Sequence, residues 1–229
     1  MQLVLGAPET LGYALSALLV TALALLPGLP LALGLGRRAD WDLPTVLTAS
    51  FALQLGVLGM VALAAHYLGL SLTFAAVAGL GALLAAGFVA LGAMRGARLP
   101  EEAGGPALAI GALCLGLGVF ERTWFSHMAD AFYHLAAVRS LLATGRPLVT
   151  DPLFGTPQHA LDATAGVWHT VLAVWSGATR LDVATWLWPG ATAFGAAFTL
   201  VAFWGLARVV SDSRRAATLA ALAWLLLGL

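Results

Sequence analysis

Long uncharged, apolar stretches set the layout of this chain. Leu11–Gly36 carries no charge, Leu43–Met94 is uncharged apart from His66, and Ala103–Phe120, Val183–Ala207 and Ala216–Leu229 follow. A helix that crosses a bilayer takes about 20 consecutive apolar residues. The first interval therefore makes one span, with Pro27 and Pro30 kinking or fraying its end. The second is long enough for two helices that turn near His66–Ser71. Ala103–Phe120 makes a shorter fourth span, Val183–Ala207 a fifth, and the last run of 14 residues an interrupted sixth. The expected fold class is all-α, a polytopic transmembrane helix bundle. Residues 1–105 form a three-span membrane region; residues 106–229 begin a second unit of span, loop 121–182, span and truncated span. The interrupted run suggests an N-terminal fragment of a longer protein.

Between the spans the pattern changes. Met128–Thr144 reads as an amphipathic helix, stopped by Gly145 and Pro147. At about 100° per residue His127, Asp130 and His134 share one arc, with Ala129, Phe132, Ala136 and Ala143 opposite. Asp151-Pro152 follows, then a turn with Gly155 and Pro157, then Asp162 and the Trp168-His169 pair. Four of the five histidines lie between Glu121 and Asp182. Ionisable groups gathered between apolar spans are costly to place and tend to be functional.

Composition sharpens this picture. Of 229 residues, 61% are hydrophobic and 10% charged, and the mean hydropathy is +0.92. Soluble domains carry about 25% charged residues, so a water-soluble globule, a disordered chain and a disulfide scaffold are all excluded. The 11 basic residues balance 11 acidic ones, which gives no reason to expect a nucleic-acid partner. The single Cys114 excludes an intramolecular disulfide and a cysteine cluster. Arginine placement supplies an orientation. Arg37, Arg38, Arg95 and Arg98 mark cytoplasmic connections, which leaves the N-terminus and loop 121–182 extracytoplasmic in a multi-pass protein of the cell membrane. Arg208, Arg214 and Arg215 are then cytoplasmic only if Ala163–Thr179 does not cross. That segment is expected to lie along the outer interface, with Trp168 and Trp175 at headgroup level.

The run Asp130-Ala131-Phe132-Tyr133-His134-Leu135, then Arg139-Ser140-Leu141-Leu142, Gly145 and Asp151-Pro152, resembles the first outer loop of GT-C glycosyltransferases. Gly177, Arg180-Leu181, Trp188-Pro189-Gly190, Leu206-Ala207-Arg208 and Ser213–Ala217 resemble the aminoarabinose-transferase and protein O-mannosyltransferase branch. Tyr133-His134-Leu135 and Asp151-Pro152 lean toward the oligosaccharyltransferase catalytic subunit. The likeness covers residues 107–229. It departs from the mannosyltransferase pattern at Ala131, where an acidic residue often stands, and in the three spans ahead of the core. It implies an integral membrane enzyme of the cell envelope that moves a sugar from a polyprenyl-phosphate-linked donor to an extracytoplasmic acceptor. Asp130 would be the catalytic base. Tyr133 and His134 would contact substrate, and Arg122, Arg139 and Arg180 would be the nearest cations for the lipid phosphate; His169, read from its place beside Trp168, either anchors at the headgroups or lines the site as a further substrate contact. Asp130, Asp151 and His134 would hold Mg²⁺ or Mn²⁺ where a metal is used.

Two other readings use the same residues. Spacings of three and four allow His127, Asp130 and His134 to ligate zinc in an interfacial hydrolase, although no His-Glu-x-x-His motif accompanies them. A transporter or membrane assembly subunit is the non-enzymatic alternative. Gly79, Gly81 and Gly87 are read as sites of close helix packing.

Overall fold

The computed structural model describes residues 7–38, 41–93, 129–145 and 166–228, with isolated helical positions between 105 and 116. All regular structure among the described residues is helical. The numbered elements are α1 (Ala7–Leu25), α2 (Leu29–Arg38), α3 (Leu43–Leu68), α4 (Leu72–Gly92), α5 (Ala129–Thr144) and α6 (Val167–Thr179). A π-helical turn (Val183–Leu187) then runs into α7 (Trp188–Ser211), and α8 (Arg214–Gly228) follows.

Among the described residues, three helical segments are long and apolar enough to cross a membrane: Leu43–Leu68, Leu72–Gly92 and Val183–Ser211. The pair α1 and α2 makes a fourth if it is one span bent by 57°. Its break follows the sequence, since Pro27 lacks an N–H and cannot continue the hydrogen-bond ladder. The expected count of five complete spans is not met among the described residues. Ala103–Phe120 lies largely outside them. The 15 residues of α8 reach only about 22 Å at roughly 1.5 Å per residue.

Local chemistry fixes the limits of α3. Asp42 caps it, its carboxylate accepting the Thr45 N–H at 2.9 Å, and Gly69 ends it at φ 64°. The chain then reverses into α4 at the turn expected near His66–Ser71. Close approach is visible where α4 meets its neighbours. A Cβ on Gly79 would come within 2.6 Å of the Val61 side chain, and one on Gly87 within 2.8 Å of the Leu31 backbone nitrogen. Gly81 is different, with nothing within 4 Å of a Cβ there, so packing does not explain it.

Helix α7 runs parallel to α1. Gly190 abuts the Ser16 backbone, where a Cβ would stand 2.5 Å from the Ser16 carbonyl oxygen. Further along α7, Phe194 and Phe198 meet Phe51 near the start of α3, with ring centroids 5.0 and 4.7 Å away. These contacts place the end of α2, the start of α3 and the end of α7 at one end of the bundle. Arg208, bonded to Asp212 at 2.8 Å, therefore stands at the end of the bundle where α2 finishes. This is the arrangement that arginine parity required of Ala163–Thr179.

Helix α6 nevertheless does not lie flat on the outer surface. Thr170, Val171, Leu172, Ala173, Trp175 and Ser176 are buried, Trp175 to 2% exposure. Trp168 meets Trp175 edge-on at 5.8 Å and Phe51 at 6.4 Å. Val167 touches α3 at Gly59, whose added Cβ would stand 3.6 Å from it. Trp175 is thus a core residue, and Trp168, half-buried, packs against that core and does not serve as a headgroup anchor. With 13 residues, α6 is too short to cross, and it satisfies the parity from inside the bundle.

Candidate functional site

Helix α5 spans Ala129–Thr144, the limits that the amphipathic pattern and Gly145 indicate. Gly145 takes φ 65°, and its carbonyl accepts the Leu72 N–H at 2.9 Å, which ties the end of α5 to the start of α4. The buried face of α5 is Leu135, Ala137, Val138 and Leu141, packed on α6. This differs from the apolar arc expected around Ala136 and Ala143, for Ala143 is exposed. His134 sits at the edge of the buried face, half-buried.

Here the structure joins residues far apart in sequence. Nδ1 of His134 lies 2.7 Å from Nε2 of His169 on α6, a hydrogen bond in which one ring donates and the other accepts. The rings lie near parallel, at 28° with centroids 4.9 Å apart. Trp188, the first residue of α7, also stacks on His134, at 5.5 Å and 24°. Tyr133 meets both imidazoles edge-on, at 5.6 and 6.2 Å. Tyr133, His134 and His169, all nominated from the sequence, therefore form one cluster. Since Val167 touches Gly59, the cluster sits beside the middle of α3. Gly59 lies nine residues before Leu68, roughly 13 Å along a helix axis.

Asp130 occupies the first turn of α5, one turn ahead of His134; its side chain, together with Arg122, His127 and Asp151, lies outside the described residues. Arg180 ends α6 in the left-handed region at φ 62° and is exposed, away from the imidazole pair. Its neighbour Asp182 is 3.8 Å from the Arg139 guanidinium, which bridges α5 to the π turn. Asp182 also caps that turn, accepting from the Thr185 backbone N–H and hydroxyl, each at 2.9 Å. The Thr185 N–H holds its carboxyl below the ordinary carboxylate range, with the hydroxyl and Arg139 adding to that effect against a smaller opposing push from burial.

A divalent cation is not accommodated by the described residues. Metal–nitrogen bonds of about 2.0–2.1 Å would hold two imidazole nitrogens farther apart than the 2.7 Å seen. No group of three His, Cys, Asp or Glu comes together among the described residues. Of the expected ligands His127, Asp130, His134 and Asp151, only the His134 side chain is among the described residues, and no chemical step is routed through a metal.

Trp188 and Gly166 are the members of the site that sequence reasoning did not nominate. A Cβ on Gly166 would stand 2.7 Å from Nδ1 of His169. Trp188 is placed by a π turn, whose wider winding frees backbone groups from the usual ladder; the Ser16 hydroxyl donates to the Trp186 carbonyl there. No protein-family model, curated protein or solved structure matches the chain.

Proposed function

We propose that this chain belongs to a membrane glycosyltransferase of the GT-C kind, transferring a sugar from a polyprenyl-phosphate donor to an extracytoplasmic acceptor. The observation that carries the reading is the convergence of Tyr133, His134 and His169 from two segments, one turn after Asp130 on the same helix. Of these, Tyr133 and His134 stand in the run that resembles GT-C outer loops.

In this reading Asp130 is the base. The acceptor's O–H or N–H attacks the anomeric carbon, the bond from that carbon to the phosphate oxygen breaks, and polyprenyl phosphate leaves with the bonding electrons. The acceptor proton passes to the Asp130 carboxylate. His134 orients a sugar hydroxyl. Of the cations nominated for the leaving phosphate, Arg139 pairs with Asp182 and Arg180 is exposed at the far end of α6 from His169, so the reading assigns that charge to Arg122.

The test is Asp130→Asn in the full-length protein, reconstituted with a polyprenyl-phosphate sugar. Transfer falls by about 10²–10⁴-fold, the usual contribution of a general base, with expression unchanged. Unaltered transfer would remove Asp130 from the chemistry.

A second reading, transport, is favoured by one observation. The 16-residue α5 and 13-residue α6 are half-length helices that carry a histidine pair beside the middle of α3. Transporters place broken helices and polar groups at such depth. Proton uptake by proteoliposomes, lost in His169→Ala, would favour it over transfer.

A further inference from the structure

We infer that the break between α1 and α2 binds a monovalent cation of the sodium class, held by the Gln54 side-chain oxygen and by the carbonyls that the break leaves without donors. Two prolines set up those carbonyls. Pro27 and Pro30 carry no N–H, so Leu23 and Leu26 lack the donor that a continuous helix would supply four residues on. The pair bends by 57° at this point, and Ala24 and Gly28 on either side of it are buried. Helix α1 therefore ends, with the negative end of its dipole, partway along the span.

Contacts from α3 bring Gln54 to the same place. The Ser50 hydroxyl donates to the Leu25 carbonyl, and a Cβ on Gly28 would overlap the Ser50 carbonyl. Nearer the start of α3, Gly36 meets Val46, so α3 runs antiparallel to the broken pair. Gln54 follows Ser50 by four residues and shares its face of the helix. A helical side chain leans back over the turn before it, so the Gln54 amide reaches toward the level of Ser50 and the break. Gln54 is 0% exposed, and neither Nε2 nor Oε1 has a hydrogen-bond partner.

Neither packing nor helix association accounts for this amide. A polar side chain that joins helices inside a membrane bonds across to a neighbour, and Gln54 does not. An apolar side chain would fill the volume without the cost of a buried polar group. The oxygens at the break are hard and uncharged: the Gln54 amide oxygen, the Leu23 and Leu26 carbonyls, and the Ser50 hydroxyl oxygen, which keeps lone pairs while it donates. Such a set suits a hard cation. Neither Leu11–Gly36 nor Leu43–Ala65 contains a carboxylate, so a divalent ion would lack the charge that usually holds it. One positive charge is what the dipole end of α1 favours. Unwound carbonyls and half-helix ends near the middle of the bilayer coordinate sodium in transporters on the same principle. Binding here is independent of the sugar-transfer chemistry assigned to Asp130.

The experiment uses the full chain in detergent micelles and compares sodium chloride with choline chloride at equal ionic strength. Radiolabelled sodium is expected to bind the native protein at a single saturable site. Gln54→Met, which keeps the side-chain length without the oxygen, weakens binding by about tenfold or more, the scale of one contact to a charged group. Sodium raises the melting temperature of the native protein with the logarithm of its concentration and leaves that of Gln54→Met nearly unmoved. Gln54→Glu keeps an oxygen in place and retains the response. In choline chloride the amide has no cation to hold, and Gln54→Met is the more stable of the two. Pro27→Ala returns an N–H to the Leu23 carbonyl and weakens binding in the same way, which serves if Gln54→Met does not fold. Equal melting in sodium and choline would overturn the inference and leave at most a water on the amide. A sodium response that Gln54→Met shares in full would overturn it by placing the cation elsewhere.

Discussion

Gln54, in the middle of α3, is fully buried, and neither its amide nitrogen nor its carbonyl oxygen has a hydrogen-bond partner. One turn away, Ser50 is equally buried, but its hydroxyl donates to the Leu25 carbonyl. An unpartnered buried amide costs about 1–3 kcal/mol by mutational measure. Gln54→Met removes the amide and keeps an unbranched side chain of similar length, and volume-conserving swaps cost less than about 1.5 kcal/mol. The variant is therefore expected to be more stable by about 1 kcal/mol. Gln54→Ala also removes the amide but opens a cavity, and truncations of this size cost about 2–5 kcal/mol; it should be less stable than the native protein. Denaturant titration in detergent micelles, followed by near-ultraviolet circular dichroism, measures both. Opposite signs for the two variants support the reasoning. If Gln54→Met destabilises by more than about 1 kcal/mol, beyond what repacking explains, the amide has a partner and the reasoning fails.

Gly190→Ala places a methyl 2.5 Å from the Ser16 carbonyl oxygen and must push α1 from α7. The expected loss is about 1–3 kcal/mol, as for an overpacked core, whereas Gly195→Ala on the same helix, with nothing within 4 Å, should be near neutral in the same titration. Asp182 has a lowered carboxyl pKa, so its charged form adds stability above the unfolded carboxylate range, and that contribution is lost as pH falls through the folded value. Asp182→Asn should therefore melt below the native protein at neutral pH, and the gap should begin to narrow only as pH falls below about 4; a gap that does not narrow as the pH is lowered further would assign it to something other than charge.

Much of the scaffold was legible in the sequence because uncharged length and turn residues are local signals. The break at Pro27, the reversal at Gly69 and the end of α5 at Gly145 all follow from them. The position of α6 was not legible. A short apolar run with two tryptophans has the same composition on a membrane surface as in a core, and only contacts with Phe51 and Gly59 decide between them. The same holds for the small residues of α4: Gly79 and Gly81 look alike in sequence, but only Gly79 faces a neighbour. At the site, two histidines 35 residues apart were nominated separately, and their pairing needed the fold. Trp188 stayed hidden because the π turn that aims it carries no local sequence mark. Gly166 stayed hidden because its requirement comes from the His169 ring and not from its own backbone.

The account depends on α6 lying inside the bundle against the middle of α3. Paired cysteines at Gly59 and Val167, with Cys114→Ser, measure this most directly. A Cβ at 59 would stand 3.6 and 3.9 Å from the two Val167 methyl carbons, so paired cysteines, whose sulfurs extend one bond beyond each Cβ, are brought within reach of each other. Mild oxidation in native membranes should cross-link the pair in good yield, shown by a mobility shift that reductant reverses. No cross-link, together with ready labelling of position 167 by an impermeant maleimide from outside, would put α6 on the membrane surface and contradict the account.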